Sequence, residues 1–360
     1  MGINIGIVTF TDGTNYGQRL QNLAVQCIFE SMGHSVKTFV LRRPDYGVFN
    51  GIKRSIKCLL HLKSTTESFI RGAKFNRFNK QYLKFYTHRI HTNYTKTNID
   101  KDFDLVFAGS DQVWNPNSAW VTDVNFLTFV PSYKRAAIAA SFSVTKIPED
   151  RIREYKTFIN EIPYITVREN SGACIICDLC DRVVPVILDP TLIVDPDLWK
   201  SISKKPVRQL PKKYVVDYML GNSVNDNVIK EWASKNGAEI VELKKGSQWY
   251  RTAPDEFLYI LEHAEYIFTD SYHGTIFSII FEKPFKNIVR QDNNISMHTR
   301  FETLYSSLGI EQQVVTSSDT NINVDYTNVT QRIQNERNRS LKIIRDIFRD
   351  YCDCGENNEE

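Results

Sequence analysis

The chain has 360 residues, 42% hydrophobic and 24% charged, with a formal net charge of +3. At roughly 150 residues per domain this length suggests two globular domains, and the composition excludes a disordered, collagenous or disulfide-knotted chain. The longest apolar run, residues 136–144, is about half of the ~18 residues that a membrane-spanning helix needs.

The opening MGINIGIVTF has no cationic leader and reads as a first buried strand over residues 3–10, so the expected location is the cytosol. A helix follows from Tyr16 to about Gly33, with Leu20, Leu23, Ala24, Cys27 and Ile28 at the 3.6-residue period. Residues 35–41 form the next strand. Beyond a basic excursion come strands at 104–108 and 136–142, a helix at 148–160, a strand at 164–167, a helix at 169–179 and a strand at 183–188. Residues 204–213, with two prolines and five cations, read as a linker between an N-terminal domain (1–203) and a C-terminal one (214–351). There the alternation restarts: strands at 214–219, 239–243, 266–269 and 285–289, helices at 224–235, 254–263 and 274–282, and a long amphipathic helix at about 330–351. Residues 352–360 read as a disordered acidic tail. The expected fold class is α/β, as two Rossmann-like doubly wound domains that face a cleft where ligands bind at the carboxyl ends of the strands.

The net charge hides an asymmetry. Residues 51–91 hold ten cations and one acid, Glu67, which leaves −6 for the rest of the chain. Phe69, Phe75, Phe78, Tyr82, Phe85 and Tyr86 interleave with these cations. The segment reads either as a solvated helical excursion whose aromatics pack on the domain, or as a surface held near anionic lipid or a polyanionic substrate. Nucleic acid is disfavoured, because no recognition motif accompanies the charge.

Chemistry is expected in the loops that follow the strands. After the first strand, small residues leading into a helix, Asn15-Tyr16-Gly17-Gln18-Arg19, offer unpaired N–H groups to an anion. Ser110-Asp111-Gln112-Val113-Trp114 suits a polyol, with Trp114 as an apolar platform and the polar residues fixing hydroxyls. Arg168 at the end of a strand could clamp an anion or cap a carboxylate. Asp270-Ser271-Tyr272-His273-Gly274 ends a strand and opens a helix, which suits His273 to catalysis or ligand binding. Arg290 ends the following strand, and Arg300 adds a further cation. The chain has seven cysteines, an odd number that fits reduced thiols better than a disulfide framework. Cys174, Cys177 and Cys180 have metal-like spacing but share one side of a helix. They read as buried small hydrophobes in preference to a metal or redox module.

Several ordered motifs resemble the polysaccharide pyruvyl transferase family over residues 3–308. They are Asn15-Tyr16-Gly17-x-Arg19-Leu20-Gln21-Asn22, Gly109 through Trp114, the run at 139–142, Val167-Arg168-Glu169, Leu188-Asp189-Pro190-Thr191, and Thr269 through Gly274. The resemblance implies a glycosyltransferase B-like pair of domains. It also implies transfer of pyruvate from phosphoenolpyruvate onto two hydroxyls of a sugar, forming a ketal on a surface-glycan precursor. His273 would then be the acid/base, with Asp270 beside it in the same motif. Arg168, Arg290 and Arg300, with Ser271 and Gly274, would bind the donor. Asn15, Tyr16, Gly17, Arg19, Ser110, Asp111, Gln112 and Trp114 would hold donor phosphate or acceptor hydroxyls. Phosphoenolpyruvate is a co-substrate in this reading, with no cofactor and no metal, since arginines can neutralise a small phosphoester. The basic segment becomes a dock for a lipid-linked acceptor at the inner membrane face. A nucleotide-sugar glycosyltransferase on the same scaffold is the alternative.

Overall fold

The computed structural model describes residues 2–41, 62–90, 99–221, 226–288, 298–311 and 324–356. Six strands, β1 (Asn4–Val8), β2 (Ser35–Leu41), β3 (Phe85–Ile90), β4 (Leu105–Ala108), β5 (Arg135–Ala140) and β6 (Tyr164–Val167), form one sheet in the order β3-β2-β1-β4-β5-β6. Every neighbouring pair is parallel. A sheet covered on both faces takes continuous apolar strands, and all four residues of β4 are buried. The connecting helices are α1 (Tyr16–Ser31), α2 (Leu62–Tyr82), α3 (Ile99–Asp102), α4 (Ile152–Asn160) and α5 (Asn170–Cys180). Two short helices, α6 (Pro190–Ile193) and α7 (Asp197–Ile202), lead out of this unit.

The second sheet holds β7 (Tyr214–Tyr218), β8 (Glu239–Glu242), β9 (Tyr266–Thr269) and β10 (Phe285–Asn287) in the order β10-β9-β7-β8, again all parallel. Its helices are α8 (Asp226–Asn236), α9 (Pro254–Glu262) and α10 (Tyr272–Ile280), followed by α11 (His298–Leu308) and α12 (Tyr326–Glu356). Strand order reverses between β1 and β4 in the first sheet and between β7 and β9 in the second. Ligand sites of doubly wound folds lie outside the carboxyl ends of the strands at such reversals.

Three expectations are corrected. Residues 183–188 do not form a strand; they make a single bridge between Val186 and Val167. Pro185 lacks the N–H that a ladder needs, although its carbonyl accepts from Val167 N at 3.1 Å. The final helix does not stop at 351 but runs through Cys352 and Cys354 to Glu356, and residues 357–360 lie outside the described chain. It also packs on the first sheet and its helices: Phe348 lies 5.4 Å from Phe29 and 5.8 Å from Phe107, and Tyr351 Oη donates to Asp104 O at 2.7 Å. Third, Cys174 and Cys177 are exposed on α5 and not buried. Among the described residues no group of three or more His, Cys, Asp or Glu could hold a metal ion.

The basic excursion contributes real architecture. It supplies α2, which buries Phe75 and Phe78, and edge strand β3, which pairs with β2. Residues 51–61 and 91 lie outside the described chain. Instead of facing outward as one charged surface, several of the described cations bind within the protein. Lys74 Nζ lies 2.7 Å from Glu256 Oε2, Arg77 Nη2 3.1 Å from Asp255 Oδ2, and Lys84 Nζ 2.9 Å from Glu30 Oε1. Arg71 is buried against the rings of Tyr16, Phe75 and Tyr250. It donates to Tyr16 Oη at 2.6 Å, to Thr14 O at 2.8 Å and to Tyr250 O. Helix α2 therefore clamps the first unit to the second. No helix among the described residues is long and apolar enough to cross a membrane.

Candidate active site

The loops after β1, β4, β6 and β9 converge at the two reversals. Thr9 just past β1 is tied to the β4 loop, its hydroxyl donating to Ser110 O at 3.0 Å and accepting from Gln21 Nε2 at 2.9 Å. Asp111 adopts φ +87°, a left-handed conformation that costs a non-glycine residue about 1 kcal/mol or more. Its carbonyl accepts from Val113 N at 2.8 Å and Ser141 N at 3.0 Å, which holds the bend. Glu169, after β6, is buried and accepts from Ser141 Oγ, Phe142 N and Ser143 N at 2.9, 2.8 and 3.0 Å. That carboxylate fixes the loop after β5, where Ser143 also sits at positive φ.

Within this frame Asp189 is the hub. It caps α6 with Oδ1, which accepts from Thr191 N at 3.0 Å and Thr191 Oγ1 at 2.6 Å. Oδ2 accepts from Arg168 Nη1 at 2.6 Å and stands 3.5 Å from His273 Nε2. Burial alone would raise this carboxyl, but His273, Arg168 and Thr191 outweigh it and hold it well below the usual carboxylate range. Arg168 is itself enclosed; burial disfavours its charge, while Asp189 and Asp111 more than restore it. Its Nη1 also lies 3.5 Å from Ser110 Oγ, and its Nη2 3.9 Å from Asp111 Oδ1.

A second buried guanidinium, Arg300 of α11, shares the ring of Tyr272 with Arg168. The two Cζ atoms lie 5.2 and 4.7 Å from its centroid. Burial and the neighbouring Arg168 charge lower Arg300 to about 10. With its amide oxygen turned toward Arg300, Gln112 accepts from Nη2 at 3.0 Å and Nη1 at 3.2 Å. Arg168 Nε and Nη2 and Arg300 Nε have no hydrogen-bond partner among the described residues. Arg168, already paired with Asp189, and Arg300 thus bring two buried guanidiniums together against one ring.

His273 opens α10, whose cap is Ser271: its hydroxyl accepts from Gly274 N at 3.3 Å. Gly274 lets the turn close, since a Cβ there would stand 2.4 Å from Thr269 Oγ1. Gly17 in α1 lies against the imidazole: a Cβ on it would stand 2.1 Å from His273 Nδ1. The Asn15-Tyr16-Gly17 motif thus meets the Ser271-to-Gly274 motif across the two units.

Some residues named from the sequence take other positions. Asp270 spends both carboxylate oxygens on the loop after β7, accepting from Leu220 N at 2.7 Å and Gly221 N at 2.8 Å, so it braces the second reversal. Trp114 is no open platform; it is enclosed, stacked on Phe126, and donates to Asn125 O at 3.1 Å. Tyr16 is buried between the units, stacked 4.2 Å from Phe257 and donating to Thr252 O at 3.1 Å, and burial pushes its phenol up to about 12. Asn15 caps α1, accepting from Gln18 N. Arg19 donates to Gly13 O at 2.7 Å, and its Nε and Nη1 find no partner among the described residues; burial lowers it to about 10. Arg290 lies outside the described residues. Asp189 and Tyr272 were not assigned roles from the sequence. An Asp-Pro-Thr just past an apolar run was the available signal, since Asp before Pro is a helix cap.

Two parallel doubly wound sheets with a buried cation cluster between them define a glycosyltransferase B-like α/β protein. The sequence profile of the polysaccharide pyruvyl transferase family matches residues 15–291, and the chain belongs to that family. No curated protein matches the chain. Among solved structures, a glycosyltransferase from Rickettsia africae aligns with TM-score 0.51 at 10% identity, covering 98% of this chain and 99% of that one. UDP-GlcNAc 2-epimerase from Methanocaldococcus jannaschii aligns with TM-score 0.47 at 10% identity, covering 93% and 92%. At these identities the likeness concerns the fold alone.

Proposed function

We propose that the chain transfers the pyruvyl unit of phosphoenolpyruvate onto two hydroxyls of one sugar, forming a cyclic ketal during surface-polysaccharide synthesis. The observation that supports this best is the pair of enclosed guanidiniums, Arg168 and Arg300, against Tyr272 and beside the Asp189–His273 contact. Phosphoenolpyruvate carries a carboxylate and a phosphate on one carbon, and two adjacent cations match it.

The reaction needs one proton carrier. Protonation of the methylene carbon makes C2 electrophilic, and a sugar hydroxyl oxygen bonds to it. The C2–oxygen bond to phosphate then breaks, and the second hydroxyl closes the ring. One hydroxyl proton returns to the acid and the other leaves with phosphate, so a diol and phosphoenolpyruvate become a ketal and hydrogen phosphate. His273 serves as acid and then base. Its Nε2 is enclosed and faces Asp189, which leaves Nδ1, on the Gly17 side, as the atom that exchanges the proton. Asp189 positions the ring and stabilises the imidazolium. Arg168 and Arg300 hold the donor, while Ser110, Asp111, Gln112 and Arg19 border the space for donor phosphate or acceptor hydroxyls.

Incubation with labelled phosphoenolpyruvate and a panel of acceptor sugars, read by mass spectrometry, tests the proposal. A pyruvyl ketal is expected, and His273→Ala should abolish it while the circular dichroism spectrum stays unchanged. Hexose transfer from a nucleotide sugar without pyruvate would replace this reading with that of a glycosyltransferase.

A further inference from the structure

A cavity of about 540 Å³ is lined by residues of both units and of the connector between them. Its walls come from α2 (Lys74), from the connector between the units (Arg208), from the loop before α9 (Gln248, Trp249, Arg251) and from α9 itself (Glu256). Volumes of 300–1,000 Å³ are those of small-molecule sites. The charge inside is one-sided. Glu256, the one acid among the described lining residues, is neutralised by Lys74 at 2.7 Å, which leaves two guanidiniums, one of them, Arg208, exposed at the mouth. Arg208 is steered by Gln248 Oε1 at 2.7 Å and lies 5.8 Å from the Trp249 ring centroid. Arg251 is half-buried and has no hydrogen bond or ion pair among the described residues. An unpaired guanidinium in a cavity wall offers its donors to an anionic ligand. The same loop is tied to the first site, because Thr252 O accepts from Tyr16 Oη and Tyr16 precedes Gly17.

We propose that this cavity binds a phosphoryl group carried on a sugar, with Arg208 and Arg251 meeting its two negative charges and Trp249 forming the apolar wall. The Arg251 guanidinium and the donors that Arg208 keeps beyond the one given to Gln248 match a phosphate dianion, and the volume leaves room for a sugar beside it. The role of the cavity as an outlying anchor for the acceptor rests on the pyruvyl-transfer reading; the binding itself does not.

Direct titration of the full chain keeps the two separate. Hexose 1-phosphate, inorganic pyrophosphate and lactose are each added while tryptophan fluorescence is followed. Hexose 1-phosphate is expected to saturate a signal that disappears in Trp249→Phe, and uncharged lactose to give none. Arg251→Gln and Arg208→Gln should each weaken binding by about tenfold or more. Arg300→Gln, in the other site, should leave the titration unchanged. Tighter binding of pyrophosphate than of the monoester supports a sugar carried on a diphosphate, and the reverse supports a sugar monoester. Saturation by neither phosphate, equal affinity in Arg251→Gln and the parent chain, or loss in Arg300→Gln alone would each overturn the proposal. These outcomes stand whether or not phosphoenolpyruvate is turned over.

Discussion

At Gly17 a methyl group would stand 2.1 Å from His273 Nδ1, too close for any real contact, so the imidazole must move if the glycine is replaced. Gly17→Ala is therefore expected to lower kcat by about 100-fold, the order of loss that follows small misplacement of a reacting group, while far-ultraviolet circular dichroism stays native. Wild-type turnover in Gly17→Ala would show that the contact is irrelevant to the chemistry. Asp189 gives a prediction with a sign. Its carboxyl is held well below the range it would have in the unfolded chain, near 4. The stability it confers is therefore complete above about pH 4 and is lost as pH falls through the lower folded value. Thermal unfolding midpoints should fall below pH 4 more steeply in the parent chain than in Asp189→Asn. At neutral pH the variant should be less stable by about 3 kcal/mol, because Arg168 is left buried without its partner. Parallel pH profiles for the two chains would exclude this account.

Among the elements, α2 carries the most unexpected load. A segment with ten cations and one acid reads most simply as a solvated face, yet the helix it forms reaches the N-terminal turn of α9, whose Asp255 and Glu256 are buried. Acids in the first turn of a helix already face its positive end, and Lys74 and Arg77 add to that attraction. Both cations are partly exposed, which limits each pair to about 1 kcal/mol. Lys74→Ala combined with Arg77→Ala should lower the unfolding midpoint in low salt, and 1 M salt should shrink the difference, since the Debye length there is about 3 Å. A midpoint unaffected by the double substitution would leave the clamp to Arg71 and the apolar contacts. The same pairs bear on the anionic-membrane expectation. Lys74 and Arg77 are committed to acids within the chain, so neutralising them changes the fold's stability as well as any attraction to a vesicle.

The molecule as a whole places two like charges, Arg168 and Arg300, in one enclosed site between its two sheets. Asp189 already balances Arg168, but Arg300 is disfavoured by burial and by the Arg168 charge, so an anion that meets Arg300 links ligand binding to stability. Phosphoenolpyruvate at about 100 times its Kd should stabilise the folded chain by about 2.7 kcal/mol, read as a raised unfolding midpoint. In Arg300→Gln the midpoint without ligand should be unchanged or higher, and the rise on adding ligand should vanish. A full rise in the variant would move the donor site elsewhere.

The residues that close secondary structure locally were legible from the sequence. The boundaries of β2, β6 and β9 follow from short apolar runs, and α1 from a 3.6-residue apolar repeat. So was the identity of His273 as the residue ending a strand and opening a helix, because strand-then-helix punctuation is a property of neighbours in the chain. The tertiary structure decided what depends on distance across the fold. Asp189 lies 21 residues from Arg168 and 84 from His273, and the local Asp-Pro-Thr pattern marks it as a helix cap without telling that both would reach it. Trp114 has the composition of a sugar platform, but Phe126 and Asn125 claim both its face and its N–H. Strand β3 hid in a basic run because an edge strand needs little apolar content to pair. The last helix returns to the first sheet because Phe348 finds Phe29 and Phe107 there. Propensity and periodicity act within a few residues of each other, whereas ion pairs, ring contacts and burial are settled only when distant segments are packed together.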